Sequence, residues 1–88
     1  MTDDPRRARD AAVAQLEALR APVAMADVAA VLGAPDRDVG SGIYVFEYAL
    51  THHAMIRVGS SDQRRVRYIR LVDGERERVL YQAPRKIT

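Results

Sequence analysis

Ile43-Tyr44-Val45-Phe46-Glu47-Tyr48-Ala49-Leu50 is the stretch whose reading decides the fold. Before it, apolar residues recur at three- and four-residue steps; within it they alternate. Tyr44, Phe46, Tyr48 and Leu50 fall on one side of an extended chain, and Ile43, Val45, Glu47 and Ala49 on the other. A glutamate interrupts the second side, so the aromatic side is expected to lie against a core. Thr51-His52-His53 then turns the chain, and Ala54, Ile56 and Val58 alternate with Met55 and Arg57 in a second strand. Gly59-Ser60-Ser61-Asp62 reads as a loop.

Upstream of the switch the pattern is helical. Asp4-Pro5 is a helix start, an acidic cap followed by a proline where its missing N–H costs nothing. Ala8, Ala12, Leu16 and Leu19, with Val13 beside them, form an apolar stripe, while Arg9, Asp10 and Glu17 take other faces. The helix is expected to end near Arg20, because Ala21 precedes Pro22. A shorter helix runs from about Met25 to Leu32, with Val28, Val31 and Leu32 inward, and Gly33 and Pro35 stop it. Asp36 to Gly42 is polar and glycine-bearing, as a loop is.

Downstream, Asp73-Gly74 is a two-residue hairpin signal. With that turn, Arg70 faces Glu77, Tyr68 faces Val79 and Val66 faces Tyr81, all on the side under the helices. The opposite side then carries Arg65, Arg67, Ile69, Leu71, Arg76, Arg78 and Leu80. Solvent faces ordinarily carry charge, but three large aliphatics among four arginines fit better with a protein interface. Arginine suits that role because its planar fork pairs bidentately with carboxylates. These seven residues are the expected partner-binding set, directed at an acidic protein surface or at a second copy of the chain. Nucleic acid is the rival partner, since arginines on a sheet also meet phosphates and Tyr44 or Tyr68 could stack on bases. In this register, however, both tyrosines face the helices.

The sum of these elements is an α+β domain: two N-terminal helices packed on one face of a three- to four-stranded antiparallel sheet. Its expected core is Leu16, Leu19, Val28, Leu32, Tyr44, Phe46, Tyr48, Ile56 and Val58. One domain spans residues 1–88, with a loose tail from about 83 to 88. A chain of 88 residues has room for one core. It buries only roughly 60–65% of its unfolded surface, so dimerisation would help it. Hydrophobic content of 48% against 30% charged residues excludes wholesale disorder. Lys86 is the only lysine, and the Arg- and Ala-heavy composition suits a bacterial or phage source. A formal net charge of +2 does not demand a nucleic-acid partner.

Met25-Ala26-Asp27-Val28 through Val31-Leu32-Gly33-Ala34-Pro35-Asp36, followed by Ser41-Gly42-Ile43-Tyr44-Val45-Phe46-Glu47-Tyr48, resembles the half-domain of the β-lactamase inhibitor protein family. It is similar too to the small outer-membrane lipoprotein of the barrel-assembly machinery. In both, a short helix ends in a Leu-Gly-x-Pro turn and the next strand carries alternating aromatics. The resemblance covers about half of the chain and implies a module that binds proteins with the open face of its sheet and catalyses nothing. It carries over no binding residue, because the matched stretch is architectural. Met1 to Arg7 has no export-signal pattern, there is no cysteine to carry a lipid, and one copy of the unit stands where the inhibitor has two. Those departures set aside the β-lactamase and outer-membrane functions.

The remaining chemistry is sparse. Without cysteine, disulfides, thiolate zinc sites and a thiol nucleophile are excluded. His52-His53 lacks the third and fourth ligands a metal requires. Ser41, Ser60 and Ser61 lie in loops without a nucleophile elbow. Asp36, Asp38, Glu75 and Glu77 read as solvated, and Gly40-Ser41-Gly42 is followed by a strand where a phosphate loop needs a helix. The expectation is a non-enzymatic protein with no cofactor or metal, resident in the cytoplasm and not bound to a membrane.

Overall fold

A computed structural model describes residues 5–40 and 42–84 of the chain. The cap at Asp4, Ser41 and the Arg85–Thr88 part of the expected tail lie outside them. The element order is α1 (Pro5–Glu17), α2 (Met25–Leu32), β1 (Arg37–Asp38), β2 (Tyr44–Ala49), β3 (Ala54–Ser60), β4 (Tyr68–Asp73) and β5 (Arg76–Gln82). The strands form one antiparallel sheet of five in the order β1-β2-β3-β4-β5. The additional strand is β1. It is only two residues long and falls in the stretch expected to be loop; Asp38 holds it by accepting the N–H groups of Gly40 and Val45.

α1 ends at Glu17, three residues before the expected end at Arg20. Arg20 folds its guanidinium back on the carbonyls of Glu17, Ala18 and Leu19, occupying acceptors that the helix leaves free. α2 starts where expected: the Asp27 carboxylate accepts the Ala24 N–H at 2.9 Å, and Gly33 (φ 79°) closes the other end. α1 lies across the sheet between β2 and β5, and α2 packs chiefly alongside α1. No described helix is long and apolar enough to cross a membrane.

The core lies between α1 and the aromatic side of β2. Leu16, Val28, Tyr48, Ile56, Val58 and Ile69 are fully buried in it, with Ala12, Val23, Leu32, Leu50, Val66 and Tyr81 around them. The aromatic side of the decisive strand therefore faces inward. Tyr44 and Phe46 are only half-buried, stacked on each other with ring centroids 6.1 Å apart. Phe46 borders a groove beside α2, lined by Met25, the small side chains of Ala26 and Ala29, and Pro35. Leu19 is likewise half-buried.

α1 also presents its inward face differently from the sequence pattern. Ala8 is exposed and Arg9 is buried. The Arg9 guanidinium grips Asp36 at 2.8 and 3.1 Å, donates to the Ala49 carbonyl at 3.0 Å, and stands 5.2 Å from the centre of the Tyr48 ring. A buried arginine is tolerated because its charge is paired and both of its terminal nitrogens are engaged, although Nε has no acceptor.

Candidate protein-interaction surface

Antiparallel pairing assigns each strand residue to one face, and the registers define the side away from the helices. One row crosses the whole sheet: Arg37 stands opposite Glu47, Glu47 opposite Arg57, Arg57 opposite Arg70, and Arg70 opposite Val79. On one flank of it runs Val45, Gly59, Tyr68 and Gln82; on the other, Ala49, Met55, Val72 and Glu77. No described element covers this face.

Glu47 is the centre of the charged row. Arg37 Nε donates to its Oε1 at 2.7 Å and Arg57 Nε to its Oε2 at 2.9 Å, leaving the residue only 4% exposed. Burial pushes its carboxyl up, but the two guanidiniums outweigh that and hold it below its ordinary value of 4.5. Farther along the row, Arg70 donates to Glu77 at 3.1 Å and lies 4.4 Å from the centre of the Tyr68 ring. That ring rests on Gly59, where a Cβ would come within 2.1 Å of it. Gly59 is therefore a strand residue that admits the ring, and β3 continues through it to Ser60 instead of ending in a loop.

The seven residues expected to bind a partner do not form this face. Ile69 is fully buried opposite Val58, and Leu71 is half-buried opposite Ile56, both under α1. Leu80 is half-buried against the core. Arg76 and Arg78 are exposed on the helix side of β5, where Arg78 pairs with Glu17 of α1. Arg65 and Arg67 precede β4 with exposed side chains; the backbone at Arg65 bridges to Ala24.

Which side of the hairpin turns inward is set by β3, where Val58 stands beside Ile69 and Ile56 beside Leu71; two further features distinguish the hairpin from the expected one. The tight turn is Gly74-Glu75, one residue later than Asp73-Gly74, so that Asp73 pairs with Arg76. Gly74 (φ 60°) takes the first central position, where a II′-type turn needs a positive φ. Then a bulge leaves Leu80 without a counterpart, since Arg70 faces Val79 but Ile69 faces Tyr81. The bulge brings Tyr81 back inward although Arg78 points to the same side. The residues missed by the sequence reading are thus Arg57, Tyr68, Arg70, Met55, Val72 and Val79. Gly59, isolated in an alternating strand, was the available signal of a close approach.

Elsewhere the polar residues serve the fold. His52 and His53, both at positive φ (58° and 64°), occupy the exposed β2–β3 turn. No group of three or more metal-ligating side chains occurs among the described residues. Ser60 is buried and donates to the Arg65 carbonyl at 2.7 Å, while Asp62 accepts the N–H groups of Arg64 and Arg65 at 2.9 Å. Thr51 donates to Asp10. Asp36, expected to be merely solvated, is held by Arg9 and by the Ala49 N–H at 2.7 Å.

That last cluster has a pH consequence. The Arg9 hydrogen bond, then the Ala49 N–H, hold Asp36 below its ordinary value of 3.8, so its contribution to stability is complete above that pH and disappears as acid protonates the folded carboxylate. Thermal melts should show stability falling as pH drops below 3.8, and Arg9→Ala should flatten that decline. At neutral pH the same variant is expected to lose about 2 kcal/mol, less than for a fully buried pair because the Asp36 side chain is 45% exposed and rehydrates.

With this geometry in hand, comparison of the chain with protein-family models, curated proteins and solved structures finds no match.

Proposed function

We propose that the protein is a small non-enzymatic interaction module that binds a partner protein through the open face of its sheet. An inhibitor, an immunity or anti-defence protein, or an adaptor all work this way, and cytoplasmic residence goes with the reading. One observation carries it: Arg37, Arg57 and Arg70 stand on an uncovered sheet face beside Val45, Met55, Tyr68, Val72 and Val79. Val79 is 54% exposed there, an aliphatic at the sheet edge with nothing over it. Arginine, tyrosine and methionine are the residues enriched where proteins meet. The three arginines against Glu47 and Glu77 leave the face positive, which favours an acidic partner surface. The likeness to the β-lactamase inhibitor half-domain points the same way.

A nucleic-acid reading draws on one specific observation, Tyr68 and Arg70 side by side on the open face. Two carboxylates in the same patch oppose it, because each repels a phosphate backbone. Affinity capture from the source cell decides between the readings. The wild-type chain should retain a protein that a Val72→Gln/Val79→Gln variant loses, with melting temperatures within a few degrees of each other and no sensitivity to nuclease. Retention by both chains would refute the open face. Capture that nuclease abolishes, with log K falling against log salt by roughly 0.7 per phosphate contacted, would establish the nucleic-acid reading.

A further inference from the structure

We propose that Arg57 and Arg70 form a two-pronged seat for a single carboxylate, that of an aspartate or glutamate flanked by aliphatic residues on a partner protein; this rests on the reading of the open face as a protein-binding surface. The two arginines are direct cross-strand neighbours in the interior of the sheet. Like charges at such positions repel. Here each guanidinium is drawn away from the other: Arg57 by Glu47 on β2, Arg70 by Glu77 on β5.

The outer ends of the pair are thereby neutralised and the inner ends are left available. Arg57 uses only its Nε within the described protein, and Arg70 only one terminal nitrogen. Arg70 Nε is shielded from water with no acceptor. The two side chains remain 44% and 40% exposed, open to a ligand arriving from solvent. Tyr68, seated on Gly59, backs the Arg70 guanidinium and restricts its movement. A carboxylate entering between the prongs turns one repulsion into two attractions, with charge-assisted hydrogen bonds to both. A single negative charge suits the site better than a phosphate does, because Glu47 and Glu77 already stand at its outer sides. Met55 and Val72 on one flank, and the Tyr68 ring on the other, are the apolar floor for aliphatic neighbours of that carboxylate.

The test is a titration of the whole chain followed by NMR, reading the arginine Nε–Hε signals and the methyl signals of Met55 and Val72. The probes are N-acetyl-Leu-Glu-Leu-amide, its Gln counterpart and an oligothymidylate. The Glu peptide should move the Arg57 and Arg70 signals and the Gln peptide should not. Arg57→Gln or Arg70→Gln should weaken the Glu peptide about tenfold, the worth of one charge-assisted bond. Arg64→Gln, which removes the same charge from the exposed β3–β4 loop, should leave it unchanged. If the methyls respond equally to both peptides while the arginines stay still, the open face binds but the carboxylate seat is refuted. If nothing responds, both readings fall. Tighter binding of the oligothymidylate, or movement of the arginine signals with protein concentration alone, would give the seat to phosphate or to a second copy and overturn the proposal.

Discussion

Tyr48→Ala is expected to cost about 3–5 kcal/mol of folding stability, which leaves a domain of this size largely unfolded. Tyr48 is the largest fully buried side chain among the described residues. Its ring fills the space between β2 and α1, faces Ile56 across the sheet and carries the Arg9 guanidinium against it. The hydroxyl donates to the Gly33 carbonyl at 3.1 Å, tying β2 to the end of α2. Burial pushes the phenol above its ordinary value of 10.0, so it remains a donor at any physiological pH. Truncation removes the ring's burial and leaves a cavity that rigid strands do not close. Tyr48→Phe isolates the hydroxyl and should cost only about 1 kcal/mol. Urea denaturation followed by circular dichroism measures both. A Tyr48→Ala chain with an unshifted midpoint would mean that the aromatic side of β2 is not the core side. Phe46→Ala should cost less than Tyr48→Ala, because Phe46 borders the groove beside α2 and is already half open to water.

Ile69→Ala is expected to cost about 2–5 kcal/mol, whereas Arg70→Ala should stay within roughly 1 kcal/mol. The pair reads out the phase of the last hairpin, since the neighbouring residues lie on opposite faces. Ile69 is 0% exposed and packs beside Val58, so its loss opens the core. Arg70 sits on the open face, where its ion pair with Glu77 joins two side chains each about half exposed and is largely screened. Equal effects, or a larger one at Arg70, would reverse the two faces and remove the proposed docking surface. The same denaturation series decides it.

The parts of the fold legible in the residues are those governed by local regularity. The switch from helical to alternating periodicity at Ile43 marks where β2 begins, and Glu47 identifies which side of that strand stays outside. Gly33 and Pro35 stop α2 by backbone geometry alone. Each of these signals acts within a few residues of where it is read. β1 carries no such signal, because two residues have no periodicity, and its place follows from pairing with a strand already in position.

The phase of β4 and β5 is a different kind of question. Tyr68 and Val72 alternate with Ile69 and Leu71, so both sides of β4 are apolar enough to be buried, and periodicity cannot choose between them. The hairpin turn cannot choose either, because two-residue turns at Asp73-Gly74 and at Gly74-Glu75 group the same residues on each side of β4. β3 makes the choice: Ile56 and Val58 lie under the helices, and the strand paired with them sets Leu71 and Ile69 beside them. The opposite phase would put Arg70 and Glu77 under the helices beside Ile56 and Val58, at the cost of desolvating an ion pair. In the adopted phase the bulge at Leu80 returns Tyr81 to the core side, opposite Ile69. A residue's tendency to form a helix or strand is decided by its neighbours in the chain, but the face it presents is decided by whatever strand it pairs with. In this protein that choice determines which arginines look outward.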